Sequence, residues 1–194
     1  MSPIVQRAFD IGMVQVPEEI EALAEFVCEL KPRNVLEIGT WKGGTFYLWC
    51  ALSDPRGLKI SIDLPGGAFG GDRLTPEDIR KRDDLRQTQY AYLILGDSHA
   101  VAHRAADLLA GEKLDFLFID GDHTYEGVKQ DFLMYKDFVS PSGWIAFHDI
   151  NDSEWHRQNN VGVAKLWAEL KGRKIEFNSH QHWAGIGLIQ GGEL

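Results

Sequence analysis

The 194-residue sequence predicts an α/β protein with an open, doubly wound and mostly parallel sheet that ends in an antiparallel hairpin. Short apolar runs alternate along the chain with segments whose apolar residues recur at helical spacing, which is the order of βαβ units. The runs are nearly continuous in apolar residues, as expected for parallel strands covered by helices on both faces. The last two runs have no helix between them, which is typical of a hairpin at the edge of a sheet.

The first elements follow from local signals. A helix over Pro17–Leu30 starts with proline in its first turn and two glutamates near the positive end of the helix dipole, and Lys31-Pro32 ends it. The apolar run Asn34–Gly39 predicts a buried strand that is stopped by glycine. The apolar segment Thr45–Leu52 predicts a buried helix, and Leu58–Asp63 predicts the second strand.

The alternation continues to residue 148 and then changes. Ser98 can cap a helix after the third strand, and the polar stretch that ends at Asn160 is predicted to be a loop. The other predicted elements are strands at Ala91–Gly96, Leu114–Asp120 and Gly143–His148, helices marked by Val128–Val139 and Val163–Leu170, and a final hairpin of strands at Lys174–Phe177 and Gly185–Ile189.

Residues 64–90 form a segment too long for a simple connection. Four glycines between Leu64 and Gly71 precede a charged run, in which a helix is predicted to start near Thr75-Pro76. A glycine-rich loop at the carboxyl end of a strand is typical of a lid over a ligand. The alternative is a solvated insertion without a role.

Composition and charge exclude several classes of partner. Lysine and arginine number 20, aspartate and glutamate 29, and the formal net charge is −9. An acidic chain lacks the basic field of a surface for nucleic acid or anionic membranes. No apolar stretch approaches the roughly 20 residues that span a bilayer. The sequence therefore predicts neither a nucleic-acid nor a membrane partner.

Length and cysteine content predict one domain over residues 1–194 in the cytoplasm. The N-terminus lacks the pattern of a signal peptide. The two cysteines, Cys28 and Cys50, lie in apolar helical patterns and are predicted to be buried free thiols, with a single disulfide as the alternative. A homo-oligomeric assembly is left open.

Carboxylates recur where the predicted strands end. Open α/β sheets bind ligands outside the carboxyl ends of their strands. Several carboxylates along one sheet edge repel each other unless hydroxyls, an ammonium group or a cation lie among them. The sequence therefore predicts a ligand site at this edge. The strand-end carboxylates are Glu37, Asp63, Asp97, Asp120 and Asp149.

The loop from Glu37 to Gly44 contains three glycines that let the backbone approach a ligand closely. The dinucleotide fingerprint G-x-G-x-x-G is not met, because Trp41 stands where that pattern has glycine. Asp63 ends the second strand, 26 residues after Glu37. A carboxylate at that position can accept hydrogen bonds from both hydroxyls of a ribose.

The motifs at these strand ends resemble those of a known class of enzymes. The pattern Glu37-x-Gly39-x-x-x-Gly43, the acid Asp63 and the run Gly96-Asp97-Ser98 are similar to those of class I methyltransferases that use S-adenosylmethionine. Two later motifs, residues 118–131 and residues 143–149, resemble the small-molecule O-methyltransferase group that includes catechol-type enzymes, macrocin O-methyltransferases and cephalosporin-hydroxylase-type proteins. The resemblance implies the Rossmann-like fold of class I methyltransferases.

The resemblance also implies roles for individual residues. Asp63 would hold the ribose, Asp97 and Ser98 would lie by the adenine, and the loop around Gly39 would line the methionine part of the cofactor. A divalent cation such as Mg²⁺ would be bound by Asp120 and Asp149, and the catalytic residues would be His123 and Asp120. The full set implied for cofactor binding is Glu37, Gly39, Thr40, Trp41, Gly43, Asp63, Asp97, Ser98 and Asp120.

The chain departs from the catechol-type pattern in two places. His123 stands where those enzymes carry a lysine base, and a histidine with an ordinary pKa of about 6.5 is chemically suited to that role. Ile150 stands where they supply an amide ligand. His148, Asn151 or Asp152 can substitute, or else the metal site is incomplete.

Alternative explanations exist for each candidate residue. Ligation by His148 would favour Mn²⁺ or Zn²⁺ over Mg²⁺, but strand alternation places His148 on the side opposite Asp149 and makes it the weaker ligand candidate. Asp120 and Asp149 can instead cap the following segments or form ion pairs. His123 can be a loop histidine bonded to backbone, His99 is predicted to have a structural or cofactor-edge role, and His156 is predicted at the surface.

These residues and the resemblance together predict a function. The hypothesis is methyl transfer from S-adenosylmethionine to a hydroxyl of a small molecule, a sugar or a phenol, with help from a divalent cation. One alternative is a non-catalytic module that binds the nucleoside without turnover. The other is an NAD-dependent oxidoreductase, which the missing dinucleotide fingerprint disfavours.

Overall fold

The computed structural model describes residues 1–66, 90–179 and 183–193. The strands are β1 Val35–Ile38, β2 Lys59–Asp63, β3 Ala91–Leu95, β4 Leu114–Ile119, β5 Val139–His148, β6 Lys174–Phe177 and β7 Ile186–Gln190. The helices are α1 Pro3–Ile11, α2 Pro17–Leu30, α3 Gly44–Leu52, α4 Ser98–Leu109, α5 Tyr125–Tyr135, α6 Glu154–Gln158 and α7 Val163–Glu169, with short 3₁₀ turns at Lys136–Phe138 and Gly191–Glu193.

The strands form one seven-stranded sheet in the order β3-β2-β1-β4-β5-β7-β6. The first five strands run parallel, and β7 pairs antiparallel with both β5 and β6. The predicted doubly wound sheet with a C-terminal antiparallel hairpin is therefore confirmed. The order reverses direction at β1, so the crevice between the loops after β1 and β4 is the expected ligand site of such a sheet.

Helices cover both faces of the sheet, as the apolar strands predicted. Alternate residues of β1 and β4 point to opposite sides: Leu36 and Leu117 pack in the cluster with α4, α5 and α7. Val35 and Phe116 pack in the second cluster, with α1, α2 and α3. The two-residue alternation of a strand thus supplies both hydrophobic layers from the same short runs.

One helix was missed, and three local predictions were wrong. The helix α1 was not predicted, and the polar stretch before Asn160 contains the short helix α6. Asp97, not Ser98, is the cap of α4, since its side chain accepts a hydrogen bond from the backbone N–H of His99. Cys28 is exposed because it lies one position beyond the core-facing Val27 on α2. Both cysteines are free and Cys50 is buried, as predicted.

Strand β5 begins at Val139, four residues before the predicted start at Gly143. Val139 pairs with Leu114, and the register then shifts so that Trp144 pairs with Phe116. Extra residues on one strand are the mark of a β-bulge, which sequence patterns do not place.

The lid interpretation of residues 64–90, and the helix predicted near Thr75-Pro76, fall on positions 67–89 and lie outside the described residues. Among the helices of the described part, none is long and apolar enough to cross a membrane.

Candidate functional site

A cavity of about 520 Å³ opens at the carboxyl ends of the parallel strands. Its walls come from the loops after β1 to β5 and from the segment between α1 and α2, which includes Gln15. Among the residues predicted to bind cofactor or metal or to act in catalysis, only Glu37 and Gly43 do not line it. The structure therefore brings most of the predicted site residues to one cavity.

Gly39 allows the loop after β1 to meet the end of β4. Its backbone has φ +94°, and a Cβ at this position would lie 2.0 Å from the carbonyl oxygen of Asp120. Gly43 has φ +81° and precedes α3 as its N-cap. Both conformations are open to glycine at little cost and are strained for other residues.

Asp63 offers one carboxylate oxygen to the cavity. Its Oδ1 accepts hydrogen bonds from the backbone N–H of Thr40, at 2.9 Å, and of Trp41, at 3.3 Å. Its Oδ2 is buried and has no hydrogen-bond partner among the described residues. Burial raises the pKa of this carboxyl, and the two backbone donors oppose that shift. A carboxylate held on one side and open on the other suits a ligand with neighbouring hydroxyls.

Glu37 lies beneath the cavity and is fully buried. Trp49 Nε1 donates to its Oε1 at 3.1 Å, and Ser61 Oγ donates to its Oε2 at 2.7 Å. Ser61 Oγ is also 2.5 Å from Thr40 Oγ1, so Glu37 is linked to the loop that lines the cavity. Burial raises the pKa of Glu37 to about 8.

The start of α4 forms another part of the wall. Asp97 caps the helix through the backbone N–H of His99, and its side chain is about half exposed. The His99 ring lines the cavity with Nε2 3.2 Å from Oδ1 of Asp131, a fully buried carboxyl on α5. Burial raises the pKa of Asp131 to about 6. His99 was predicted to have a structural or cofactor-edge role, and the structure places its ring in the wall of the cavity.

Asp120 follows β4 and lies at the centre of a cluster of acids and histidines. Gln15 Nε2 donates to its Oδ2 at 2.9 Å. Its Oδ1 lies 3.0 Å from His148 Nδ1 and 3.9 Å from His123 Nε2. The ends of the paired strands β4 and β5 bring these residues together, since His148 is the last residue of β5.

Asp149 lies on the other side of the two histidines. Its Oδ2 is 2.8 Å from His123 Nδ1, and its Oδ1 is 3.3 Å from His156 Nε2. Burial opposes ionisation of Asp149, but His148 and His123 outweigh burial and hold its pKa well below the usual range. Burial likewise disfavours the charged form of both histidines, and the neighbouring carboxylates outweigh it and raise both pKa values.

Two predictions about the histidines were wrong. Strand alternation was expected to separate His148 from Asp149, but Asp149 has φ +61° and is not extended, so both side chains reach the same cluster. His156 was predicted at the surface and is 1% exposed. Its Nδ1 lies 2.7 Å from Ser153 Oγ in a capping box at the start of α6.

The structure distinguishes among the residues considered as substitutes for the missing amide ligand. The Asn151 amide nitrogen donates to Asn178 Oδ1 and to the carbonyl oxygen of Trp183. Asp152 is exposed and pairs with Arg157. His148 lies in the cluster, with Nδ1 3.0 Å from Asp120 Oδ1.

Gln15 was missed by the sequence analysis. It lies between two helices and carries no motif, and only the packing of α1 and α2 brings it to Asp120. A buried amide in an N-terminal loop gave no signal that distinguishes it from any other loop residue. His156 gave no signal either, because the sequence predicts a loop where the short helix α6 holds this residue.

A divalent cation fits the cluster. Asp120, His123 and His148 each offer a ligand atom, and these atoms lie within 4.8 Å of one another. Both ring nitrogens of the buried His148 lack a hydrogen-bond partner among the described residues. Carboxylate oxygen and imidazole nitrogen are both common cation ligands. The set differs from the predicted pair by including the two histidines in place of Asp149.

Comparison with known proteins identifies relatives of this chain. The sequence profile of a family described as "Methyltransferase domain" matches residues 36–150. An uncharacterised protein of Acanthamoeba polyphaga mimivirus is 41% identical over 139 residues, which are 72% of this chain and 61% of that protein. An uncharacterised protein of Sinorhizobium fredii is 29% identical over 82% of this chain. The chain spans only 17% of that second protein.

Solved structures share the fold at low sequence identity. A cofactor-bound protein from MTB superposes with a TM-score of 0.69 at 16% identity, covering 100% of this chain and 92% of that one. The O-methyltransferase TomG from Streptomyces achromogenes, in complex with SAM, has a TM-score of 0.67 at 15% identity, with coverage of 97% and 89%. An O-methyltransferase from Bacillus cereus in complex with SAH has a TM-score of 0.65 at 14% identity, with coverage of 97% and 90%.

Proposed function

Because the chain belongs to the methyltransferase domain family, we propose that it transfers the methyl group of S-adenosylmethionine to a hydroxyl oxygen of a small molecule, a sugar or a phenol. One observation carries the proposal: a single cavity joins the open oxygen of Asp63 to the cluster around Asp120. The first suits a ribose, and the second suits an acceptor that must lose a proton. The structural likeness to O-methyltransferases with SAM or SAH bound supports the same conclusion.

The cofactor end of the site is proposed to run along the loops after β1, β2 and β3. Asp63 Oδ2 accepts the ribose hydroxyls, while its Oδ1 stays on the backbone of Thr40 and Trp41. Asp97 and Ser98 lie by the adenine, and the glycine-containing loop receives the methionine part. Glu37 does not contact the cofactor but holds the loop after β1 in place. It does so through its hydrogen bond with Ser61, which in turn contacts Thr40.

The chemistry at the acceptor end is a displacement. A lone pair of the acceptor oxygen forms a bond to the methyl carbon, the carbon–sulfur bond breaks, and S-adenosylhomocysteine leaves. The sulfonium is already reactive, so the protein mainly aligns oxygen, carbon and sulfur. The hydroxyl proton must also leave, and the cluster of Asp120, His123 and Asp149 is placed to receive it.

The role of His123 depends on whether a cation is bound. In the metal-free protein Asp149 holds His123 Nδ1 at 2.8 Å, so Nε2 is the ring atom on the side of Asp120 that can take the proton. Asp120, His123 and His148 are the residues that would hold a divalent cation. When bound, such a cation supplies a positive charge that lowers the pKa of the hydroxyl and orients it.

The rim of the cavity supports a flat or ring-shaped acceptor. Trp41, Trp155 and Trp183 all line it, and each is partly exposed. Indole rings offer broad apolar faces that stack on aromatic rings and on the apolar face of a sugar. This composition supports a phenol or a sugar as the acceptor class.

Calorimetric titration with S-adenosylmethionine and S-adenosylhomocysteine tests the proposal. We expect micromolar binding of both and weakening by about 10-fold to 100-fold in Asp63→Asn, because an amide nitrogen cannot accept the ribose hydroxyls. Asp115→Asn is the matched control, since Asp115 Oδ2 also accepts two backbone N–H groups, of Arg33 and Asn34, away from the cavity.

The outcomes separate the candidate functions. Absence of binding to either nucleoside would overturn the proposal, and tight NAD binding instead would favour the oxidoreductase. Equal affinity in Asp63→Asn and Asp115→Asn would remove the ribose role of Asp63. If the nucleosides bind, a mass-spectrometric search for added methyl groups on phenols and sugars decides between an enzyme and a non-catalytic module.

A further inference from the structure

We propose that Asp120, His123 and His148 bind a first-row transition-metal cation, such as Zn²⁺, Mn²⁺ or Co²⁺, in preference to Mg²⁺. The purpose of the cation rests on the proposed function, because the cation would face the acceptor hydroxyl. The binding itself is independent of cofactor and acceptor. It also changes the sequence-based prediction, in which two carboxylates formed a magnesium site.

His148 supplies the first argument. It is 7% exposed, and neither of its ring nitrogens has a hydrogen-bond partner among the described residues. Its Nδ1 lies 3.0 Å from Asp120 Oδ1 and 3.5 Å from Asp149 Oδ1, but these close contacts do not have hydrogen-bond geometry. Its Nδ1 is therefore paired by charge only, and its Nε2 has no hydrogen bond among the described residues. Because a buried polar atom without a hydrogen bond costs about 1–3 kcal/mol, an imidazole in this position is suited to bind a cation.

The spacing of His148 and Asp120 is that of two ligands on one ion. Ligand atoms in adjacent octahedral positions, each about 2.1 Å from a cation, lie about 3.0 Å apart. The observed separation of His148 Nδ1 and Asp120 Oδ1 is 3.0 Å. The third ligand atom, on His123, lies within 4.8 Å of the other two.

His123 is oriented as a metal-binding histidine is. Its Nδ1 lies 2.8 Å from Asp149 Oδ2, and its Nε2 is the nitrogen nearer to Asp120. Histidine ligands commonly donate their second ring N–H to a carboxylate, which fixes the tautomer and the ring plane. Asp149 therefore supports the site from outside rather than binding the cation.

Two further residues hold the carboxylates in place. Gln15 Nε2 donates to Asp120 Oδ2, which directs Oδ1 toward His148. His156 Nε2 lies 3.3 Å from Asp149 Oδ1 and is itself anchored by Ser153. Both supporting residues are almost fully buried. A rigid outer layer of this kind is expected around a cation site.

The donor set decides the class of cation. Mg²⁺ prefers carboxylate and water oxygens, whereas imidazole suits Zn²⁺, Mn²⁺, Co²⁺, Fe²⁺ and Ni²⁺. Two imidazoles and one carboxylate therefore favour a transition metal. The set also makes His123 a ligand, and the same Nε2 cannot bind a cation and accept a proton at once. With His123 as a ligand, a cation held here would lower the pKa of the acceptor hydroxyl, and the proton would pass to water.

The test uses the whole chain after removal of metals with EDTA, without nucleoside or acceptor. Calorimetric titrations with ZnCl₂, MnCl₂, CoCl₂ and MgCl₂ give the affinities, and the visible absorption of Co²⁺ reports nitrogen ligation. We expect Zn²⁺ and Co²⁺ to bind on the order of 100-fold more tightly than Mg²⁺. Asp149→Asn should weaken them by about 10-fold to 100-fold. His103→Ala is the control, because that histidine is exposed.

A second variant guards against a simple loss of folding. His148→Asp replaces one nitrogen donor by oxygen, so it should lose affinity for Zn²⁺ and gain affinity for Mg²⁺, a reversal that misfolding cannot produce. Equal or tighter binding of Mg²⁺ by the unaltered protein would overturn the proposal. So would the absence of any cation binding, or a selectivity that His148→Asp leaves unchanged. Nucleoside binding without cation binding would overturn this inference alone, and cation binding without nucleoside binding would overturn only the proposed function.

Discussion

The buried carboxyl of Glu37 should make the stability of the protein depend on pH. The folded state raises its pKa from 4.5 to about 8, chiefly because burial disfavours the charged form. A carboxyl with a raised pKa binds its proton more tightly in the folded chain than in the unfolded one. Its contribution to stability is therefore lost as the pH rises from about 4.5 toward 8.

The size of the effect follows from the shift. A pKa difference of roughly 3.5 units corresponds to about 5 kcal/mol, of which roughly 3 kcal/mol falls between about pH 5 and pH 7.5. The substitution Glu37→Gln removes the titration and keeps the shape. Its carbonyl can accept from Trp49 Nε1, and its amide can donate to Ser61 Oγ, whose hydroxyl can turn toward Thr40.

Urea unfolding of the EDTA-treated protein at about pH 5 and pH 7.5 measures the effect. We expect the stability difference between Glu37→Gln and the unaltered protein to shift by about 3 kcal/mol in favour of the variant over this range. Glu25→Gln is the control, because Glu25 is exposed on α2. Parallel pH profiles for the unaltered protein and Glu37→Gln would refute the reasoning.

The remaining predictions concern the loop after β1, the buried hydrogen bonds of Glu19 and the buried carboxyl of Asp131. Gly39→Ala should yield little folded protein and no nucleoside binding, because a Cβ would lie 2.0 Å from a backbone carbonyl oxygen at φ +94°; normal expression and affinity would contradict this. Glu19→Ala should lower the free energy of unfolding, measured by urea denaturation, by about 2–4 kcal/mol, since Glu19 accepts from the backbone N–H groups of Ser179 and Gly185. A loss smaller than the error of the measurement would show that these two hydrogen bonds do not stabilise the fold. Asp131→Asn should flatten the pH dependence of stability between about pH 4 and pH 6 by roughly 2 kcal/mol, because burial raises the pKa of Asp131 to about 6 and its protonated form is favoured only in the folded chain; an unchanged slope in pH-dependent thermal melts would count against it.

The sequence was sufficient for the seven strands and for the edge of the sheet where the cavity opens. Apolar runs, helical spacing and glycine or proline stops are local properties, so β1 to β7 were all predicted, with small differences in their bounds. The carboxyl ends of parallel strands always meet at one edge. Asp63, Asp120 and Asp149 could therefore be assigned to one site before their distances were known.

The tertiary structure decided which of these residues touch each other. Asp149 was expected to be a ligand and His148 to face away, yet a positive φ at Asp149 ends the strand geometry on which that expectation depended. Gln15 and His156 reach the cluster from distant segments, and Glu37 proved to lie below the cavity rather than in its wall.

There is a physical reason why the sequence predicted the strands and the sheet edge but not the contacts within the site. Secondary structure follows from periodicity within about ten residues, and the polarity of a parallel sheet places its strand ends without further information. A site depends on distances of about 3 Å between side chains far apart in sequence, set by backbone turns and by the packing of other elements. The sequence by itself determined the fold and the chemistry present at one sheet edge. Only the packing decided that two histidines and one carboxylate there face a common centre, with Asp149 behind them.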